Sequence, residues 1–334
     1  MMLMLLATGL FQQQITTGEV VSALESRSRL PVRATFDLEL FQAADSIPMP
    51  TGGTTPSKDL TYNAKGMLLE MVPGKIRFER LLIDIPLWEN GKDMPRMVST
   101  FDGVDSMAVN SPTSHANFNE GSIYQGEEFK DAVSGEIAPL LLMYRPFDTK
   151  TGYGLDISKF SEPVVISEGG IDYVRMEGEN NGCECELWLT RNGLRVFRYI
   201  EFVGDPKSPY FDVQSEYDDD LLVGWCSRFY LPGTGGVSCS YTAANLSLDT
   251  AAQIDDSRFR VEFPKNSIVY DDKYGKQVSI DNEGKVDVLW DRSDIPAPRS
   301  RTVLLVLGIL VVPMFIALYL RKKERLKADE EKTP

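Results

Sequence analysis

Residues 62–85 read YNAKGMLLEMVPGKIRFERLLIDI, with Pro73-Gly74 at their midpoint. Proline fixes its own backbone angle and glycine supplies the positive φ that the next turn position demands, so a tight turn joins the two flanking runs. Those runs alternate, with Met67, Leu69 and Met71 on one face of the first and Ile76 and Phe78 on one face of the second. Side chains repeat with period two along a strand, so Tyr62 to Val72 and Lys75 to Ile85 form a hairpin of half-buried strands. After Phe78 the apolar phase jumps to Leu81, Ile83 and Ile85, which predicts a bulge or a change of buried face near Arg80. Long strands with such a break belong to a strongly curved sheet.

The same alternation extends outward on both sides. Upstream, Ala34, Phe36, Leu38 and Leu40 alternate with Thr35, Asp37, Glu39 and Phe41. Before that strand, Thr17 can cap a short helix carrying Val20, Val21 and Leu24 on one side and ending before Pro31. A polar insertion from Ala44 to Asp59, rich in Pro, Gly and Thr, reads as a loop that could act as a flap. Downstream, Val98 to Asn110 gives two short strands about Asp102-Gly103, and His115 follows in a polar stretch. Glu127 to Tyr144 is the second helical stretch, with Phe129, Val133, Ile137 and Leu140 to Met143 as an apolar stripe that Pro139 kinks or splits.

Seven further strands are predicted at Val164 to Ser167, Ile171 to Glu177, Cys183 to Thr190, Leu194 to Val203, Tyr210 to Tyr217, Leu222 to Leu231 and Val237 to Leu248. Turns at Arg191-Asn192-Gly193 and at Pro232 to Gly236 join two pairs of them. Arg258 to Glu262, Ile268 to Tyr270 and Gln277 to Ile280 complete the set. One helix, long antiparallel strands, a second apolar helix and a meander give an α+β fold, a curved antiparallel β-sheet or half-barrel closed by one or two helices.

A family resemblance follows from Arg33-Ala34-Thr35-Phe36-Asp37 after the opening helix, from Phe78 and Glu79 in the hairpin, from Ser99-Thr100-Phe101-Asp102-Gly103, and from Glu186 to Leu194. These resemble LolA-like and LolB-like proteins over roughly Gly18 to Leu248. The resemblance implies an open half-barrel that binds lipoprotein acyl chains in an apolar cavity. The chain departs from that family in its C-terminal anchor and in the strands from Arg258 to Ile280, and it carries no ligand-contacting motif that transfers residue by residue.

That anchor is Thr302 to Leu320, TVLLVLGILVVPMFIALYL, 19 residues without a charge. At ~1.5 Å per residue it reaches ~28 Å, enough for a single transmembrane helix. Pro313 is tolerated within such a span. Arg321, Lys322, Lys323, Arg325 and Lys327 behind it argue for a cytoplasmic tail and an exported, periplasmic domain. Lys285, Arg292, Arg299 and Arg301 on the other flank reduce the asymmetry. Met1 to Phe11 resembles the apolar region of a signal peptide without its basic start, and a cytosolic, tail-anchored protein is the alternative. The expected organisation is a signal segment over 1–17, a β-rich extracytoplasmic domain over 18–290, a stalk over 291–301, the span over 302–320 and a basic tail over 321–334.

The formal charge is −14, and without the tail 29 basic residues face 45 acidic ones, so nucleic-acid binding is disfavoured. Such a surface is also repelled by anionic lipid heads, so a lipid ligand calls for an enclosed apolar cavity. His115 is the only histidine and has no nucleophile elbow beside it, so no enzyme is expected. Cys183, Cys185, Cys226 and Cys239 do not match structural zinc spacing, and no metal or cofactor is expected. In an exported domain the favoured disulfide is Cys226 with Cys239, across the Pro232 to Gly236 hairpin. Asp218-Asp219-Asp220 and Asp281 to Gly284 read as solvated turns rather than calcium loops. The expected function is binding of a lipid or lipoprotein acyl ligand, and the alternative is a scaffold whose sheet is filled by its own side chains and whose acidic surface docks a protein partner.

Overall fold

The computed structural model describes residues 14–44, 58–80, 82–84, 97–110, 119–125, 135–148, 154–204, 208–231, 233–272 and 274–291. The signal-like start, most of the Ala44 to Asp59 insertion, His115, the first half of the second helical stretch, the stalk beyond Asp291, the Thr302 to Leu320 span and the tail lie outside these residues. Among the described residues no helix is long and apolar enough to cross a membrane. The chain divides into two units, Met1–Leu289 and Trp290–Pro334, and the whole hydrophobic core belongs to the first.

Helix α1 (Thr17–Ser28) is capped by Thr16 rather than Thr17. The Thr16 hydroxyl accepts from Glu19 N, and the Thr16 N–H donates to the Glu19 carboxylate at 2.8 Å. This reciprocal box needs the glutamate three positions after the cap, which fixes the start one residue earlier than the threonine at 17. Val20 and Leu24, one turn apart, are fully buried.

The strands are β1 (Val32–Gln42), β2 (Leu60–Val72), β3 (Lys75–Arg80), β4 (Leu82–Asp84), β5 (Met97–Phe101), β6 (Asp105–Asn110), β7 (Asn119–Gln125), β8 (Val164–Glu168), β9 (Ile171–Asn180), β10 (Cys183–Thr190), β11 (Val196–Val203), β12 (Ser208–Asp218), β13 (Leu221–Tyr230), β14 (Val237–Asp249), β15 (Ser267–Asp271), β16 (Lys276–Ile280) and β17 (Val286–Asp291). They form one sheet. A meander from β8 to β14 lies on one side of β1, and β2, β3, β5, β6 and β7 lie on the other. These pairings are antiparallel. β15 then joins β7 in parallel, with Ser267 opposite Asn119, so the sheet is mixed rather than wholly antiparallel.

Curvature is built into the centre of the sheet. Both neighbours of β1 carry an extra residue at the same level, β2 at Gly66 and β14 at Asn245, each with positive φ (62° and 53°). Such bulges increase twist and bend the strand that carries them. β3 and β4 pair with β2 in one continuous register, with Leu68 opposite Glu79 and Ala64 opposite Ile83, so the break expected near Arg80 falls level with Gly66. β1 itself runs unbroken, burying Val32, Ala34, Phe36, Leu38 and Leu40 on the concave side.

The chain after β14 crosses the convex side. Arg258 to Glu262 is not a strand, because Asp255 accepts from Ser257 N at 2.8 Å and caps a 3-10 turn, Asp256–Phe259. Arg258 places its guanidinium against Glu70 at 2.9 Å and Glu79 at 3.4 Å, while Arg33 takes the other oxygen of Glu70 at 2.9 Å. Glu70 and Glu79 are buried, and a buried carboxylate is tolerable only when paired in this way.

Candidate functional site

The second helix, α2 (Ala138–Tyr144), is APLLLMY, and every one of its residues is buried. A helix that is apolar all round requires neighbours on every side. It packs on α1 and on the inward side of β11, β12 and β13. Tyr217 on β12 donates to Val196 O at 2.9 Å and lies 3.8 Å from the Met143 sulfur. Arg145 closes the C-terminal end, donating to Ser28 O and Leu30 O at 3.0 Å each and to Val72 O at 3.3 Å. Burial lowers its pKa to about 10, so it keeps its charge at neutral pH.

The approach to α2 depends on Gly135. A Cβ there would stand 2.5 Å from Tyr241 Cε2 and 2.8 Å from Phe229 Cε2, so only glycine lets the backbone lie on these rings. The next residue, Glu136, accepts from Trp225 Nε1 through its carbonyl at 3.2 Å. Trp225 meets Phe36 edge-on, ring centres 4.8 Å apart, and Phe36 lies 6.4 Å from Phe78. An aromatic row therefore runs across the floor from β13 through β1 to β3.

Above this row lies a buried ion pair. Arg80 Nε donates to Glu136 Oε2 at 2.9 Å, and its Nη2 donates to Oε1. The Arg80 Nη1 is 4.0 Å from the Met97 sulfur. Both residues are buried, Arg80 7% and Glu136 2% exposed. Burial raises the Glu136 carboxyl above its ordinary value, and Arg80 opposes that rise. Burial likewise pushes the Tyr241 hydroxyl well above its usual value and the Cys239 thiol up to about 11.

One buried core takes in α1, α2, Val32, Ala34, Leu69, Met71 and Ile76 together with Leu38, Leu40, Leu60, Tyr62 and Tyr241. Across β14, β1 and β2, Tyr241 stands opposite Leu40, Leu40 opposite Tyr62 and Leu38 opposite Ala64, all of them buried.

Among the described residues the clefts are polar. Two of them, of about 960 and 980 Å3, are lined by Arg77, Asp102, Arg258 and Arg260 and by Asp172, Arg191, Arg195 and Asp220. Neither is the unfilled apolar cavity that the resemblance implies, and α2 is buried in the core of the concave face.

The cysteine expectation is corrected. A bulge between Phe229 and Tyr230 sets Cys226 opposite Thr242 and Cys239 opposite Phe229. The offset between the two cysteines is an odd number of residues, so Cys239 faces inward with Tyr241 while Cys226 faces outward, where Thr242 reaches its sulfur at 3.5 Å. All four cysteines, including Cys183 and Cys185 on β10, are thiols outside any disulfide. Asp219 has φ of 51° in the β12–β13 turn and Asp220 pairs with Arg195. Asp281 accepts from Glu283 N and Lys285 N at 2.8 Å each, so it too closes a turn. No group of metal-ligating side chains occurs among the described residues. Arg80 and Glu136 escape a reading of the sequence alone, and their signal is an arginine on the inward phase of Ile76 and Phe78, together with a lone acid before an apolar helix.

No protein-family model matches the chain, and no curated protein matches it. Among solved structures it is similar to a domain described as an outer membrane lipoprotein-sorting protein from Vibrio parahaemolyticus, with 11% identity, a TM-score of 0.41, and 72% of this chain and 94% of that chain covered. It is also similar to an uncharacterized conserved protein from Thermus thermophilus, with 11% identity, a TM-score of 0.33, and 76% and 98% covered. The complex of MucA and MucB from Pseudomonas aeruginosa follows at 10% identity and a TM-score of 0.21, with 71% and 99% covered. With TM-scores below 0.5 these likenesses decide neither fold nor function.

Proposed function

We propose that this chain is a non-catalytic, membrane-tethered binding domain that holds an apolar ligand, a lipid or lipoprotein acyl chain, on the concave face of its sheet. The domain is extracytoplasmic, and Thr302 to Leu320 is its tether. The observation that carries this reading is the mismatch between the apolar strip and its occupant. α2 has 7 residues and extends ~10 Å at ~1.5 Å per residue. β1 has 11 residues and extends ~37 Å at ~3.4 Å per residue, apolar along its inward side almost throughout. α2 thus accounts for one part of the face, and Leu38, Leu40, Leu60 and Tyr62 beyond it, buried within the chain, form the apolar lining that a guest would share by displacing what covers them. The insertion from Ala44 to Asp59, read from sequence as a flap, is the candidate lid and lies mostly outside the described residues.

Mass spectrometry of lipids retained by an exported fragment of residues 1–291, which keeps β17 whole, released without detergent, tests the proposal. A stoichiometric acyl-chain ligand is the expected result. A stable unit that carries none, and takes none up from vesicles, overturns it in favour of a scaffold whose acidic surface docks a protein partner.

A further inference from the structure

We infer that an open trough on the inward phase of the sheet, lined from β6, β7, β15 and β16, binds a neutral saccharide. The site lies outside the buried core, and the inference stands whether or not an acyl chain is bound elsewhere. Cross-strand register fixes its place. Phe78 on β3 stands opposite Ser99, Ser99 opposite Ala108, Ala108 opposite Ser122, Ser122 opposite Tyr270 and Tyr270 opposite Gln277. Residues opposite one another share a face, so this row continues the phase of Phe78, and between the two rings it carries only small side chains. Tyr124 shares the face, because it stands opposite Ser106, two residues before Ala108. The gap over Ala108 and Ser122 is a space of about 460 Å3, bordered by Tyr124, Tyr270, Ile268, Glu120 and Gln277. Small-molecule sites span roughly 300–1,000 Å3, so the trough has the size of one.

Its floor cannot settle to close the gap. On the other face a Cβ added at Gly121 would stand 2.5 Å from the Phe263 ring, and Val269, opposite Gly121, is 2% exposed. The strands are thus backed by packed side chains, which keeps the space preformed. The lining selects the ligand. A pyranose presents C–H bonds on its ring face and hydroxyls around its edge. Tyr124 is 47% exposed, so its ring is open to receive the C–H face, while the Tyr270 hydroxyl is held by donating to Asp272 Oδ1 at 3.4 Å. The Ser122 hydroxyl and the Gln277 amide each donate and accept, as sugar hydroxyls do, and the Glu120 carboxylate adds a strong acceptor. Glu120 is the only charged residue among the described lining, so an anionic head would meet a like charge and no cation. An acyl chain would strip water from Glu120, Ser122 and Gln277 without replacing its hydrogen bonds.

Saturation-transfer NMR on the full chain, held in a detergent without sugar groups, tests the site. The probes are maltotriose, cellotriose, chitotriose and mannotriose, with tetramethylammonium as the cationic rival. At least one trisaccharide is expected to receive saturation, most strongly at its ring C–H protons. Tyr124→Ala should weaken its binding about 3- to 10-fold, the share of one aromatic contact, and Gln277→Ala by a similar factor. Tyr124 is exposed, so its replacement should leave the fold intact, and Tyr210→Ala, at an exposed ring on β12 outside the trough, should change nothing. Glu120→Gln keeps an acceptor and should retain the sugar. Transfer to none of the trisaccharides, or binding unchanged by Tyr124→Ala, overturns the inference. Tetramethylammonium binding that Glu120→Gln abolishes, with the sugars unbound, overturns it in favour of a cation held between tyrosines.

Discussion

Asn245 donates its side-chain amide to Oδ2 of Asp37 at 2.8 Å, across 208 residues of sequence, while Gly66 N donates to Oδ1 at 3.0 Å. A single carboxylate on the unbroken central strand thus holds the extra residue of each neighbouring strand. These donors, Asn245 first, keep the Asp37 carboxyl below the usual aspartate value. Its contribution is therefore present above the unfolded pKa and lost as pH falls through the lower folded one.

Asp37→Ala removes the acceptor for both bulges. Asp37 lies near solvent, so screening limits the loss to about 1 kcal/mol. For a unit of this size that corresponds to a fall of roughly 2–4 °C in Tm. Calorimetry at neutral pH checks it, and the difference from wild type should shrink as pH falls through the lowered folded pKa, where the carboxyl becomes protonated in both states.

Gly135→Ala places a methyl group inside the rings of Tyr241 and Phe229. Overpacking of this kind costs about 1–3 kcal/mol. Denaturant unfolding should show that loss, and a second change, Tyr241→Leu, should restore part of it by vacating the space. If the single and double variants unfold alike, crowding against Tyr241 is not the cause of the loss.

Glu201 provides a pH dependence of the opposite sign to Asp37. It accepts from Tyr199 OH at 2.8 Å, yet burial is the larger influence and raises its carboxyl above the ordinary glutamate value. The folded state therefore binds the proton more tightly than the unfolded one. Stability from this group is fully present below the unfolded pKa and is lost as pH rises through the folded pKa. Glu201→Gln should abolish that decline, so the variant's denaturation midpoint should gain on the wild type as pH rises from about 4 to about 7.

The cysteines should behave as four thiols. Cys239 is buried with its thiol raised to about 11, so it should react with iodoacetamide at mildly alkaline pH far more slowly than the partly exposed Cys226. Peptide mapping of the unreduced protein, after denaturation in an alkylating agent, should find no Cys226–Cys239 crosslink.

Most strands are legible in the sequence because alternation is local. The meander from residue 164 to 249 follows its sequence pattern to within a few residues, and Leu194 falls outside its strand only because its positive φ of 49° delays the start to Val196. The pairing of Cys226 with Cys239 fails because one bulge residue shifts which side chains meet, and no spacing rule reveals it. The parallel contact of β7 with β15 joins segments some 148 residues apart, and the Arg80–Glu136 pair joins residues 56 apart. Such partners are chosen by tertiary geometry, which leaves no mark in either segment alone. The α2 segment advertises its apolarity but not that the bowl receives it.

The position of β1 between β2 and β14 sets a schedule for folding. One edge of β1 pairs with its near neighbour at once, but the other waits for residues 237–249. At synthesis rates of about 5–20 residues per second, that interval is on the order of 10–40 s. Throughout it, Phe36, Leu38 and Leu40 sit on a strand with an open edge, the kind of surface that pairs with other chains. Until that last partner arrives, the edge stays open to pairing with other chains.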